Sequence, residues 1–137
     1  MYGKRILDAV KLLKEIIYYP GKKAEGMYLT DKDVARMIDL SCVRTISTQS
    51  DIEEMVRAAK QFQFGQVSVL QCFIKYTKEL LADSPEIHVV GNVSFPSGSD
   101  STQTKVFQAR EMKEEGCDEI DVVMNIGQLR SGLYEEV

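Results

Sequence analysis

The sequence predicts a parallel α/β fold in which two amino-terminal helices lead into four strand–helix units. Two observations support this. Short apolar runs of strand length alternate four times with longer segments whose apolar residues recur every three to four positions. The connecting segments are also long enough for helical crossovers, so successive strands run parallel.

Residues 4 to 18 read as an amphipathic helix, with Ile6, Val10, Leu13 and Ile17 on one face, and Pro20 and Gly21 ending it. Thr30 followed by Asp33 has the spacing of a helix start. It predicts a short second helix burying Val34, Met37 and Ile38. Ile38 to Val43 is the first strand. A helix at 50 to 63 follows, turning Ile52, Met55, Val56, Ala59 and Phe62 inward. Gln66 to Leu70 is the second strand, with a helix at about 72 to 82. Glu86 to Val93 is the third, followed by a Ser- and Gly-rich loop. The next helix runs from near Asp100 to Gly116, a residue suited to a left-handed stop. Asp118 to Asn125 is the fourth strand, and another helix begins after it.

Composition excludes several classes. Hydrophobic residues make up 44% and charged residues 28%, the balance of a soluble domain, and the formal net charge is −4. An acidic chain has no global attraction for nucleic acid or an anionic membrane. No apolar stretch approaches a membrane span. Asp8, Lys11, Lys14 and Glu15 break the apolar run that a signal peptide after Lys4 and Arg5 would need. Cys42, Cys72 and Cys117 form neither metal-ligand spacing nor an even disulfide set, which points to a reducing, cytoplasmic location. No glycine-rich dinucleotide or P-loop motif is present, and no cofactor or metal is expected.

In parallel α/β folds the working side chains sit at the carboxyl ends of strands. That rule selects Asp39, Ser41 and Arg44 at the first strand, Ser68 and Gln71 at the second, Asn92 at the third, and Asp121 and Asn125 at the fourth. Asp121 is the most informative, because a carboxylate inside an apolar strand needs a partner or a polar surface to face. A solvated strand-end acid is the plainer alternative. Asp118 and Glu119 read as solvated strand-start residues. The loop Phe95 to Asp100 has the small residues of an anion cradle, but a simple connection accounts for it better. His88 falls near the start of the third strand, away from the expected site, which favours a structural or surface role over catalysis.

Taken in order, several segments resemble one enzyme family. Ile38-Asp39-Leu40-Ser41 through Ile52, Gln66-Val67-Ser68-Val69, and Val89 through Gly98 are each similar to blocks of deoxyribose-phosphate aldolases. So is Gly116 through Gly127, with Leu129, Ser131, Gly132 and Tyr134 behind it. The resemblance covers about residues 34 to 137. It implies a (β/α)₈ TIM barrel of which about the first four βα units are present. Residues 1–33 would then be an amino-terminal helical extension and 34–137 the first half of the barrel.

The resemblance also implies a class I aldol reaction. A lysine forms a Schiff base, and 2-deoxy-D-ribose 5-phosphate is cleaved reversibly to acetaldehyde and glyceraldehyde 3-phosphate. Asp121 matches the aspartate of the lysine proton relay. Asp39, Ser41, Ser68, Asn92 and Asn125 are the expected substrate-side residues. The partner implied is a small phosphorylated sugar, and the unpaired edges of a half-barrel point in addition to a homo-oligomer or to association through those edges. The Schiff-base lysine belongs to the family's sixth strand, and a whole barrel takes ~250 residues, so residues 1–137 alone are expected to be inactive. Leu40 stands where many members carry His, and Arg44 where many carry Lys. A noncatalytic half-barrel that binds or joins a partner is the alternative.

Overall fold

A computed structural model describes residues 30–137; the helix expected at 4 to 18 lies outside them. Helix α1 (Asp31–Ala35) starts at Thr30, whose hydroxyl accepts from the Asp33 N–H while the Asp33 carboxylate accepts from the Thr30 N–H. This reciprocal cap is the one the Thr-x-x-Asp spacing predicts. The buried face differs from the expectation in part, since Ile38 packs against the core as expected. Ala35 enters the core, whereas Met37 is 70% exposed, because the helix ends before Met37 comes round to the inner side.

Strand β1 (Asp39–Cys42) leads to α2 (Gln49–Phe62), started by a second reciprocal cap between Thr48 and Asp51. Ile52, Met55, Val56 and Ala59 are buried and Phe62 packs against them, as the spacing predicts. Strand β2 (Gln66–Val69) passes through a single 3₁₀ turn (Gln71–Phe73) into α3 (Ile74–Leu80). Strand β3 (His88–Val93) starts two residues later than expected, because Ser84 to Ile87 form a turn in which the Ile87 N–H donates to the Ser84 carbonyl. Helix α4 (Thr102–Glu114) is capped by Ser101 rather than begun at Asp100. Gly116 closes it with φ +94°, and the Cys117 N–H donates back to the Met112 carbonyl. Strand β4 (Glu119–Val122) is half the expected length. Asn125 lies beyond it and caps the short helix α5 (Ile126–Arg130), accepting from the Gln128 N–H at 3.1 Å.

The four strands of the described residues form one parallel sheet in the order β1-β2-β3-β4. Alternation along each strand divides the side chains between two faces. Cys42, Val67, Val69, Val89 and Val93 join Ile52, Ile74 and Met112 in the core beneath the helices, with Leu40 and Ile120 packed against it. The opposite, inner face carries Asp39 and Ser41, Gln66 and Ser68, His88, Val90 and Asn92, and Glu119 and Asp121. Consecutive strand order with every helix-facing residue apolar and nearly every opposite residue polar is the pattern of a barrel wall, not of a sheet sandwiched between two helix layers.

Candidate active site

The inner face holds two hydrogen-bonded groups at different heights. Near the amino ends of the strands, Glu119 accepts from Gln66 Nε2 at 2.6 Å and lies 2.7 Å from His88 Nδ1. These two contacts, His88 first, hold its carboxyl below the ordinary value. Glu119 is thus bound to two strands, not merely solvated at a strand start. His88, half-exposed, pairs with Glu119 near the amino ends of the strands. Asp118, the other supposed solvated acid, also has partners. It accepts from the Val89 N–H at 2.8 Å and from Lys78 Nζ at 2.9 Å. Burial would raise its carboxyl, but the Val89 N–H and the Lys78 ammonium outweigh that and leave it lowered.

Higher on the same face, Asn92 Nδ2 donates to Ser68 Oγ at 2.8 Å and to the Val69 carbonyl at 3.1 Å. Asp121 is the register partner of Asn92 on the adjacent strand. Ile120 packs against the core and Val122 lines a groove beside Lys105 and Val106 of α4. Asp121, between them, therefore faces inward as alternation predicts. It is exposed toward the open side of the sheet and has no hydrogen-bond partner among the described residues.

Asp39 corrects one expectation. It opens β1 instead of standing at its carboxyl end. It nevertheless faces inward, and partial desolvation, then the Asp121 charge, then that of Glu119, raise its carboxyl above the ordinary value. The three acids therefore share one electrostatic environment. Ser41, paired with Ser68 in register, lies on the same face. Asn125 does not join them, since its side-chain oxygen serves the α5 cap. Gln71 is drawn to the helix side, where it donates to Glu111 of α4 at 3.2 Å.

The loop after β3 does not form an anion cradle. The Gly98 N–H donates to the Ser94 carbonyl, the Ser99 N–H to Ser97 Oγ, and the Asp100 N–H to Ser94 Oγ. Every lysine among the described residues lies on a helix and none on a strand, so no amine of these residues extends from the inner face. Sequence reading missed the Gln66–Glu119–His88 group. The inward parity of those three positions was the available signal, but their contact depends on register between strands.

A consecutive four-stranded parallel wall among the described residues, helices outside and polar groups within, forms a sector of a (β/α) barrel. No protein-family model matches the chain. Among curated proteins it is 40% identical over 113 residues to the deoxyribose-phosphate aldolase of Caldicellulosiruptor saccharolyticus, covering 80% of this chain and 51% of that protein. It is 41% identical over 104 residues to the deoxyribose-phosphate aldolase of Carboxydothermus hydrogenoformans, covering 76% and 45%. The solved structure of a Coccidioides immitis protein described as a deoxyribose-phosphate aldolase superposes with a TM-score of 0.74 at 25% identity, covering 94% of this chain and 51% of that one. The Aeropyrum pernix enzyme superposes with a TM-score of 0.68 at 22% identity, a likeness of fold alone, covering 78% and 45%. The chain belongs to the deoxyribose-phosphate aldolase family, and it spans about half the length of the curated relatives it matches.

Proposed function

We propose that this chain supplies the Asp39–Asp121 wall of a class I aldolase that reversibly cleaves 2-deoxy-D-ribose 5-phosphate to acetaldehyde and glyceraldehyde 3-phosphate in the cytoplasm. The observation that carries this reading is Asp121, an inward acid with no partner among the described residues, within electrostatic reach of Asp39. In that chemistry a neutral lysine amine attacks the substrate carbonyl, water leaves, and the iminium accepts the electron pair released as the carbon–carbon bond breaks. A carboxylate beside the reacting atoms takes and returns the protons of those steps, a role that this reading gives to Asp121. Asp39, with its raised carboxyl, is the neighbour that can hold a shared proton. Ser41 lines the wall on the substrate side.

The lysine itself is not on the described strands, so residues 1–137 alone are inactive in this reading. That same observation favours the second reading, a noncatalytic half-barrel that joins a partner through its open edges. Borohydride trapping with acetaldehyde, read by mass spectrometry, separates the two. The aldolase reading expects no adduct on residues 1–137. It expects one adduct, on a strand lysine outside them, in the longest polypeptide that the reading frame encodes. A longest polypeptide that traps nothing leaves only the binding module.

A further inference from the structure

Ser68 and Asn92 face the same inner surface, yet their surroundings give them different tasks. Ser68 is 2% exposed, and its Oγ accepts a hydrogen bond from Asn92 Nδ2. The second N–H of that amide goes to the Val69 carbonyl. A carbonyl oxygen can only accept, so the amide group turned toward β2 must be the NH₂ and not the oxygen. Both donors of Asn92 are thereby used within the wall. Its Oδ1 has no hydrogen-bond partner among the described residues and is turned away from Val69.

Asp121 is the register neighbour of Asn92 on β4, one strand spacing of about 4.8 Å away. A neutral amide oxygen and a carboxylate thus stand side by side as acceptors. Neither can satisfy the other, and both are open to donors from solvent or from a ligand. A carboxylate attracts any donor, whereas a fixed amide oxygen adds direction. A site with such an oxygen discriminates against an analogue that lacks the matching hydroxyl, because the oxygen is then left unpaired.

We propose that Asn92 is a specificity-determining residue that receives a hydroxyl of the sugar substrate on Oδ1, beside Asp121, and that Ser68 is a positioning residue acting only through Asn92. The substrate class rests on the aldolase reading; the Ser68–Asn92 lock does not.

The lock is tested by nuclear magnetic resonance on the 137-residue chain, following solvent exchange of the Asn92 side-chain amide. Ser68→Ala should speed that exchange about tenfold, the effect of losing roughly 1.4 kcal/mol of hydrogen bonding. Ser68→Thr, which keeps the hydroxyl, should leave it near the unaltered rate. The backbone amides of Val67 and Val89 report that the sheet is intact. Unchanged exchange in Ser68→Ala overturns the positioning role.

The hydroxyl is tested on the carbon signal of the Asn92 side-chain carbonyl. That signal should move on titration with 2-deoxy-D-ribose 5-phosphate and not with tetrahydrofurfuryl phosphate, a ring phosphate without hydroxyls. Ser68→Ala should weaken the response. Equal movement with both compounds, or none with either, overturns the specificity role. Failure of the aldolase reading would instead appear as missing borohydride adducts in the longer polypeptide, with the exchange result unaffected.

Discussion

Asp39 and Asp121, on the first and last strands of the sheet, are coupled across its inner face. Partial desolvation comes first, the Asp121 charge second and the Glu119 charge third in raising the Asp39 carboxyl above its ordinary value of 3.8.

The coupling has a consequence for stability with a definite sign. A carboxyl whose pKa is raised on folding favours the folded state while protonated, and that contribution is lost as pH rises through the folded value. Asp39→Asn removes the charge, so it should stabilise the chain at neutral pH. The gain should be small, because the side chain is exposed. It should disappear below pH 3.8, where the carboxyl is protonated in both states. Denaturation midpoints of both proteins at the two pH values check this.

Asp118 acts in the opposite direction. Its lowered carboxyl stabilises the fold above the unfolded value and loses that effect as pH falls through the folded one. Asp118→Ala removes the acceptor for the Val89 N–H and the partner of Lys78 together. A cost of about 1–3 kcal/mol is expected from urea unfolding, most of it from the backbone group left unpaired. Lys78→Met, which spares the Val89 bond, should cost less than about 1 kcal/mol, as a partly exposed ion pair does. Equal costs for the two would assign the stability to the ion pair instead.

Gly98 and Gly132 form a matched comparison. Both have positive φ, +67° and +74°. A Cβ on Gly98 would collide with the Met124 carbonyl oxygen, whereas one on Gly132 meets nothing within 4 Å. Gly132→Ala should cost about 1 kcal/mol, the conformational penalty alone. Gly98→Ala should cost more than about 3 kcal/mol, because the loop after β3 must lift from the end of β4. Melting curves of the two variants measure the difference.

Self-association is the expected behaviour of the isolated chain. Among the described residues β1 and β4 are the sheet edges, and Val122 at the end of β4 and Met124 just beyond it are 59% and 51% exposed. Such edges invite pairing with another chain. Closing two copies into one barrel would set Asp39 of each against Glu119 and Asp121 of the other, a juxtaposition of like charges that opposes closure at neutral pH. Association is therefore expected through the apolar border of β4, and Val122→Lys should shift light scattering toward monomer. A monodisperse monomer at high concentration without that substitution would refute the expectation.

Local order was legible in the residues themselves. The spacing of Thr30 and Asp33 marked a helix start, apolar repeats at 52, 55, 56 and 59 marked a buried helix face, and alternation around Asp121 marked its inward direction. Each depends on neighbours within one turn of helix or one strand, where the periods of 3.6 and 2 determine which side chains share a face. The barrel type was not in that pattern, and came into view only through a family resemblance.

What tertiary structure alone decided is which groups meet. Glu119 finds His88 31 residues away, Asp118 finds Lys78 40 residues away, and Asn92 finds Ser68 24 residues away. Asn125 reads as a strand-end ligand in sequence but becomes a helix cap because β4 ends at Val122. The physical reason is register. A strand's own residues determine which face each side chain takes, but its hydrogen-bonded offset from the next strand sets the height at which it stands and the group it touches.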